Sequence, residues 1–192
     1  DGNGILDLND QQFLGSYIPD YEYGFTVDAS YKNFDLNLIF NGVAGVDIWN
    51  FGRNRNLLNI NNSNVIRDAL DYWTPENPDA SLPRLGGGAN NQRPSSFYVE
   101  SGSYFRLRNM QLGYTLPNSL LDRVNIRKVR LYGSVQNLFT ITNYSGYYPE
   151  IGRSQDDELR VVDNNNLLFY SGVDQSSYPT PRMMIFGVQV GF

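Results

Sequence analysis

Five segments of about ten residues alternate between apolar and polar side chains, and this alternation is the strongest constraint on the fold. A period of two residues is typical of a β-strand with one apolar face, because successive side chains point to opposite sides. The pattern predicts strands at about 21–32, 34–42, 104–116, 127–141 and 182–192. The chain is therefore predicted to be all-β.

The length of these strands and of their connections favours a transmembrane antiparallel β-barrel over a soluble β-sandwich. Ten residues, at roughly 3.4 Å each and tilted by about 45°, span about 24 Å, the height of the apolar band of an outer-membrane barrel. Strands of soluble sandwiches are most often about 5–6 residues long. Short connections near 32–33 and 117–125 alternate with long ones at 43–103 and 142–181, as tight periplasmic turns alternate with long extracellular loops.

Five strands are too few to close such a barrel, for which about eight is the practical minimum. An open sheet in lipid would leave two edges of unpaired backbone groups, each costing several kcal/mol. We therefore expect the chain to be a fragment that is completed by further strands and does not fold alone.

Composition removes several function classes. The chain has no cysteine and no histidine, so it lacks thiol nucleophiles, disulfides and the commonest general base and metal ligand. A net charge of −5 without a basic face argues against nucleic-acid binding. The sequence contains no run of about 18 apolar residues, so no transmembrane helix is predicted. The composition therefore disfavours an enzyme.

The face opposite the apolar one is predicted to line the barrel lumen. It is polar and mostly uncharged, which suits a hydrated polar solute. Its predicted members are Thr26, Asp28, Ser30, Asp35, Asn37, Asn41, Gln111, Ser134, Gln136 and Gln189. Arg106 and Arg108 share the parity of the apolar Met110, so they are predicted to lie above the apolar band, at the outer rim.

The N-terminal segment resembles a calcium-binding loop, in which oxygen ligands recur at alternate positions around a glycine turn. With Gly4 at the turn, the candidate ligands are Asp1, Asn3, the Ile5 carbonyl, Asp7 and Asp10. The first ligand of the pattern would lie two residues before Asp1, outside this chain. The predicted role is structural, pinning an outer loop; the alternative is an Asx/Gly turn with solvated carboxylates.

Trp73 lies in a proline-bounded loop, 71–78, and is a weak candidate for substrate binding. Its indole could stack on a sugar ring or pack against a partner. The alternative is that it caps the core of its own loop.

In the last predicted strand, apolar side chains alternate with small or polar ones up to a final phenylalanine. The residues that carry the pattern are Phe186, Val188, Val190 and Phe192. It resembles the signal by which the outer-membrane assembly machinery recognises barrel proteins. The alternative is a strand that happens to end in phenylalanine.

Nine segments together resemble the C-terminal end of a SusC/RagA-type TonB-dependent outer-membrane transporter of the Bacteroidetes. They cover most of the chain in the order of that family. The segments are 1–7 (DGNGILD), 18–25 (IPDYEYGF), 31–36 (YKNFDL), 72–78 (YWTPENP), 101–109 (SGSYFRLRN), 112–117 (LGYTLP), 135–140 (VQNLFT), 147–150 (YYPE) and 178–182 (YPTPR).

This resemblance implies that residues 1–192 are the last five strands of a 22-stranded barrel whose plug domain lies outside the chain. It implies a SusD-like surface lipoprotein as a lid, energy from a TonB complex, and a Gram-negative outer membrane with its lipid and lipopolysaccharide. The implied cargo is oligosaccharide or peptide, and the predicted cofactor is at most structural Ca²⁺. The alternative function is a secreted β-sandwich module that binds glycans.

Overall fold

The computed structural model describes residues 3–4, 8–57, 66–85, 91, 93–121, 126–150 and 172–192. The chain forms two compact units. The sheet unit comprises Pro19–Gly45, Gly102–Tyr144 and Tyr178–Phe192. The loop unit comprises Asp1–Ile18, Val46–Ser101 and Ser145–Ser177.

Strands predominate over short helices in the described part of the chain. In chain order the elements are β1 (Tyr21–Tyr31), β2 (Phe34–Ala44), β3 (Asp47–Asn50), α1 (Phe51–Leu57), β4 (Val99–Ser101), β5 (Tyr104–Thr115), α2 (Asn118–Leu121), β6 (Lys128–Thr142), β7 (Val173–Asp174) and β8 (Met183–Gly191). Single 3₁₀ turns lie at Leu8–Asp10, Arg67–Leu70 and Ser96–Tyr98. Within these described ranges, no helix has the length and hydropathy that crossing a membrane requires. The described residues therefore form a structure that is mostly β-sheet with few helices, which agrees with the predicted fold class in part.

The sheet unit is built on one antiparallel sheet with the strand order β1-β2-β5-β6-β8. The bounds of these strands differ from the five predicted segments by no more than two residues. A two-residue turn at Lys32 and Asn33 joins β1 to β2, and Lys32 adopts a left-handed φ of 53° there. Two-residue hairpin turns favour positive φ, because their twist then matches that of the strands.

Cross-strand pairing gives this sheet two chemically different faces. Phe25 stands opposite Phe40, and on the other side of the sheet Asp28 stands opposite Asn37. The apolar face carries Tyr23, Phe25, Val27, Tyr31, Phe34, Leu36, Leu38, Phe40, Phe105, Leu107, Met110, Leu112, Tyr114, Leu131, Val135, Phe139, Ile141, Met184, Phe186, Val188 and Val190. The polar face carries Thr26, Asp28, Ser30, Asp35, Asn37, Asn41, Arg106, Asn109, Gln111, Arg130, Tyr132, Ser134, Gln136, Thr140 and Gln189.

A β-bulge in β5 reverses its alternation and corrects one prediction. Asn109 and Leu107 pair with consecutive residues of β2, so Arg108 is an extra residue in β5. Arg106 consequently stands opposite Asn41 on the polar face. The prediction that Arg106 shares the apolar parity of the strand is wrong, because strict alternation does not account for an inserted residue.

The loop unit contains a small sheet of its own, with the strand order β4-β3-β7. β3 runs antiparallel to β4 and parallel to β7. A buried cluster in this unit consists of Leu57, Ala69, Leu82 and Tyr98, with Trp49 and Tyr72 packed against it. Its members come from α1, two 3₁₀ turns and an extended segment. These segments are therefore held together by packing of their buried side chains rather than by a shared sheet or helix.

The Glu100 carboxylate links several segments of the loop unit. Its Oε1 accepts hydrogen bonds from Asn50 Nδ2 at 3.2 Å and from an Arg53 guanidinium nitrogen at 3.1 Å. The Ser145 backbone N–H donates to Oε2 at 2.8 Å. Burial opposes ionisation of this carboxyl, but the hydrogen bonds from Ser145 and Arg53 outweigh it, so the pKa of Glu100 lies below its ordinary value.

Leu57→Ala should destabilise the loop unit, because Leu57 is completely buried (0% exposed) and its truncation leaves a cavity. We expect a loss of about 2–5 kcal/mol. Leu70→Ala is the matched control, since Leu70 is 72% exposed. Limited proteolysis of the native protein should show faster cleavage within 46–101 for Leu57→Ala only. Equal cleavage rates in the two variants would contradict a stabilising core.

Glu100→Gln should remove a pH-dependent part of the stability of the loop unit. Because folding lowers the pKa of Glu100, its contribution is fully present above the unfolded-state pKa and is lost as the pH falls through the lower folded-state value. The midpoint of urea unfolding, followed by tryptophan fluorescence, should therefore fall less steeply with acidification in Glu100→Gln than in the wild type. Glu76→Gln, at an exposed position, is the control and should keep the wild-type slope. An unchanged slope in Glu100→Gln would contradict this role.

Candidate functional site

The polar face of the large sheet is the candidate functional surface, because it places amide, hydroxyl and charged groups side by side on five strands. Neighbouring strands are joined there by side-chain hydrogen bonds. Asn37 Nδ2 of β2 donates to Asp28 Oδ1 of β1 at 2.7 Å. Ser134 Oγ of β6 donates to Asn109 Oδ1 of β5 at 2.9 Å. These contacts orient the side chains while leaving the face hydrophilic.

Arg106 and Tyr104 form a buried part of this face. Arg106 Nε donates to Thr140 Oγ1 at 3.0 Å, and the guanidinium lies 4.7 Å from the centroid of the Tyr104 ring. Asn41 Nδ2 in turn donates to the Tyr104 hydroxyl at 3.4 Å. A guanidinium over an aromatic ring gains a cation–π interaction, which helps to offset its burial.

An ion pair crosses the same face farther along the sheet. Arg130 Nε donates to Asp35 Oδ1 at 2.9 Å, and its second contact, to Asp35 Oδ2, makes the pair bidentate. The same guanidinium donates to Gln189 Oε1 at 3.2 Å and lies 5.3 Å from the centroid of the Tyr132 ring. Bidentate pairs fix both distance and orientation.

The opposite, apolar face is broadly exposed. Phe186 is 84% exposed and Val188 61% exposed. Near the other edge, the Phe40 ring is nearly parallel to those of Phe25 and Phe105, at centroid distances of 4.7 and 5.4 Å. Large apolar side chains thus remain accessible along this face.

The structure adds charge to a face predicted to be mostly uncharged. Arg106 and Arg130 both lie on it, in addition to the predicted Asp28 and Asp35. The position of Arg130 could be predicted, because it occupies a polar alternate position of the segment 127–141. Its pairing with Asp35 could not be predicted, since 95 residues separate the two in sequence.

No family model matches the sequence. Several TonB-dependent receptors, however, align with the entire chain. TonB-dependent receptor P3 and TonB-dependent receptor P26, both of Formosa agariphila, are 38% and 31% identical to it. TonB-dependent receptor SusC of Bacteroides thetaiotaomicron is 25% identical.

Solved structures of the RagAB peptide importer have the same fold. The 'closed-closed' state matches with a TM-score of 0.76 at 26% identity, over 99% of this chain and 20% of the importer chain. The 'open-open' state matches with a TM-score of 0.71 at 27% identity, over 93% of this chain and 18% of the other.

Over its whole length, the chain is therefore similar to TonB-dependent receptors, SusC among them, and to the RagAB peptide importer. It spans 17–19% of the length of the three curated relatives. These relatives are receptors and transporters rather than enzymes.

The candidate assembly residues of the chain lie at the edge of the large sheet. Phe186, Val188 and Val190 project from β8 on the apolar face. Phe192 follows the strand directly and is 82% exposed. The common face of Phe186, Val188 and Val190 agrees with the alternation of the sequence. The role of these residues and Phe192 as an assembly signal remains a prediction.

The candidate calcium ligands fall partly outside the described residues, because Asp1, Ile5 and Asp7 are not among them. Asn3 and Asp10 are described, and Gly4 between the candidate ligands has a positive φ of 80°. Within the described ranges, no three acidic side chains gather as a metal site would require. Calcium binding by this chain stays a prediction.

Trp73 lies on a loop that internal hydrogen bonds hold in place. The Asp71 carboxylate accepts from the Ser81 backbone N–H at 3.1 Å and from Asn77 Nδ2 at 3.2 Å. These hydrogen bonds, led by those from Ser81, hold the pKa of Asp71 below its usual value. Tyr72 packs against the buried cluster, whereas Trp73 is 40% exposed. Substrate binding by Trp73 remains a prediction.

Proposed function

We propose that this chain forms five neighbouring strands of the outer-membrane barrel of a SusC/RagA-type active transporter. The observation that carries the proposal is the two-faced sheet: an exposed apolar face behind a polar, hydrogen-bonded one. In a membrane barrel the apolar face contacts lipid and the polar face lines the interior. The rest of the receptor would supply the other strands of a 22-stranded barrel, which give the edges of β1 and β8 their partners, and a plug.

Strand length supports a bilayer-spanning sheet. β1 and β2 each contain 11 residues. At about 3.4 Å per residue and a tilt of about 45°, such a strand covers about 26 Å, close to the apolar band of an outer-membrane barrel. The first strand pair is joined by a turn of two residues, whereas the segment between β2 and β5 contains β3, α1 and β4. We assign the short turns to the periplasmic side and the long connections to the extracellular side.

The polar face supports the import of a hydrated polar solute. Its amide and hydroxyl groups can exchange hydrogen bonds with an oligosaccharide or a peptide, and RagAB is a peptide importer. By similarity to SusC and RagAB, a SusD-like lipoprotein would close the outer mouth and a TonB complex would supply energy. The transporter would lie in a Gram-negative outer membrane, among lipid and lipopolysaccharide, and Ca²⁺ would stabilise the N-terminal loop.

A lysine scan of adjacent residues tests the orientation of the sheet. Leu38 pairs with Val27 and Met110 on the apolar face, whereas Asn37 pairs with Asp28 and Gln111 on the polar face. In the full-length receptor, Leu38→Lys should cost about 2–4 kcal/mol, because the ammonium would face lipid. Asn37→Lys should assemble normally. The readout is the amount of heat-modifiable receptor in the outer-membrane fraction.

Asn37→Lys is a matched control, since it introduces the same charge one residue away and places it beside the carboxylate of Asp28. Normal assembly of both variants, or a receptor that fractionates as soluble protein, would contradict the membrane orientation.

Growth assays test import. A strain that lacks the full-length receptor should lose growth on either a casein peptide digest or starch-derived oligosaccharides, and a TonB-deficient strain should show the same loss. Growth on free amino acids and glucose is the control, because small solutes do not need an active transporter. Unchanged growth on both the peptide digest and the oligosaccharides would contradict import of these two cargo classes.

A further inference from the structure

The ion pair between Asp35 and Arg130 joins two strands that are not neighbours. Asp35 lies on β2 and Arg130 on β6, and β5 lies between them. Backbone hydrogen bonds connect only adjacent strands, which are about 4.8 Å apart. The side-chain pair therefore spans roughly 10 Å. It makes a connection that the backbone ladder cannot make.

Gly113 provides the space for this pair. It stands between the two strands, opposite Asp35 on one side and Tyr132 on the other. A methyl group on Gly113 would lie 2.5 Å from Asp35 Oδ1 and 2.6 Å from Arg130 Nε. Both distances are well inside van der Waals contact. Because the obstructing atoms are side-chain ends, a larger residue at position 113 would displace the ion pair rather than the backbone.

The guanidinium is also held from the far side. Arg130 donates to Gln189 on β8, which is the next strand of the sheet. Its ring neighbour Tyr132 lies across Gly187, where a methyl group would be 2.5 Å from the Tyr132 hydroxyl. The arginine side chain is 12% exposed, so little freedom remains to it.

We propose that Asp35, Arg130 and Gln189 form a cross-strand bridge that makes β2, β5, β6 and β8 behave as one rigid body. The bridge requires a glycine at position 113, because a side chain there would occupy the space of the ion pair. The bridge fixes the separation of β2 and β6 on the polar face. Resting on the proposed function, these four strands form a stiffened part of the barrel wall.

A double-mutant cycle in the full-length receptor tests the bridge. Gly113→Ala should raise the rate of unfolding in urea about threefold to tenfold, since it expels a bidentate pair that water only partly screens. In the Asp35→Ala/Arg130→Ala background, Gly113→Ala should change the rate by less than about twofold, because the side-chain atoms that would obstruct the methyl group are then absent. Gly191→Ala is the control, since its nearest neighbour would be Lys128 at an ordinary 3.6 Å.

Salt supplies a second readout. The effect of Asp35→Asn alone on the unfolding rate should shrink between about 0.1 M and 1 M salt, as the Debye length falls from about 10 Å to about 3 Å. If Gly113→Ala prevents folding altogether, the Asp35→Ala/Arg130→Ala background should restore folded receptor.

An equal effect of Gly113→Ala in both backgrounds, or no effect of Asp35→Asn on unfolding at either salt concentration, would overturn the bridge. The mutant cycle measures unfolding of the receptor, whereas the growth assays measure uptake. A result that overturns the bridge therefore does not decide the outcome of the growth assays.

Discussion

The antiparallel register of the five-stranded sheet determines the position of every side chain in the sheet unit. Because alternate residues project to opposite faces, a single register fixes both the apolar and the polar surface. A slip of one residue between β1 and β2 would place Asp28 opposite a leucine and, in one of the two directions, Phe25 opposite Asn41. The register is therefore favoured twice, by the aromatic contacts on one face and by the hydrogen bonds on the other.

Glycines occur where a side chain crosses a neighbouring strand. The Tyr23 ring lies over Gly42, and its hydroxyl donates to the Tyr104 carbonyl at 3.2 Å. Gly113 and Gly187 play the same part on the polar face. A glycine inside a strand is unfavourable by itself, so its presence here indicates a close approach that the sheet needs. Side chains thus connect strands beyond the reach of the backbone ladder.

Local periodicity explains which parts of this fold could be predicted from the sequence. Alternation is a property of consecutive residues, so the five strands and their faces could be recognised, except where Arg108 inserts into β5. The pairing of Asp35 with Arg130 depends on the order of strands, which no local pattern encodes. The loop unit has no period at all: Asn50 and Ser145 meet at Glu100 from positions 95 residues apart.

The two units also differ in what stabilises them. The loop unit buries Leu57, Ala69, Leu82 and Tyr98 within itself, so it contains a core of its own. The sheet unit instead exposes most of its apolar face to its surroundings. Backbone pairing does not compensate for that exposure in water, because hydrophobic burial is the dominant favourable term in folding. On the proposed function, lipid covers this face and further strands pair with both edges, so the membrane and the rest of the receptor are part of what makes this sequence fold.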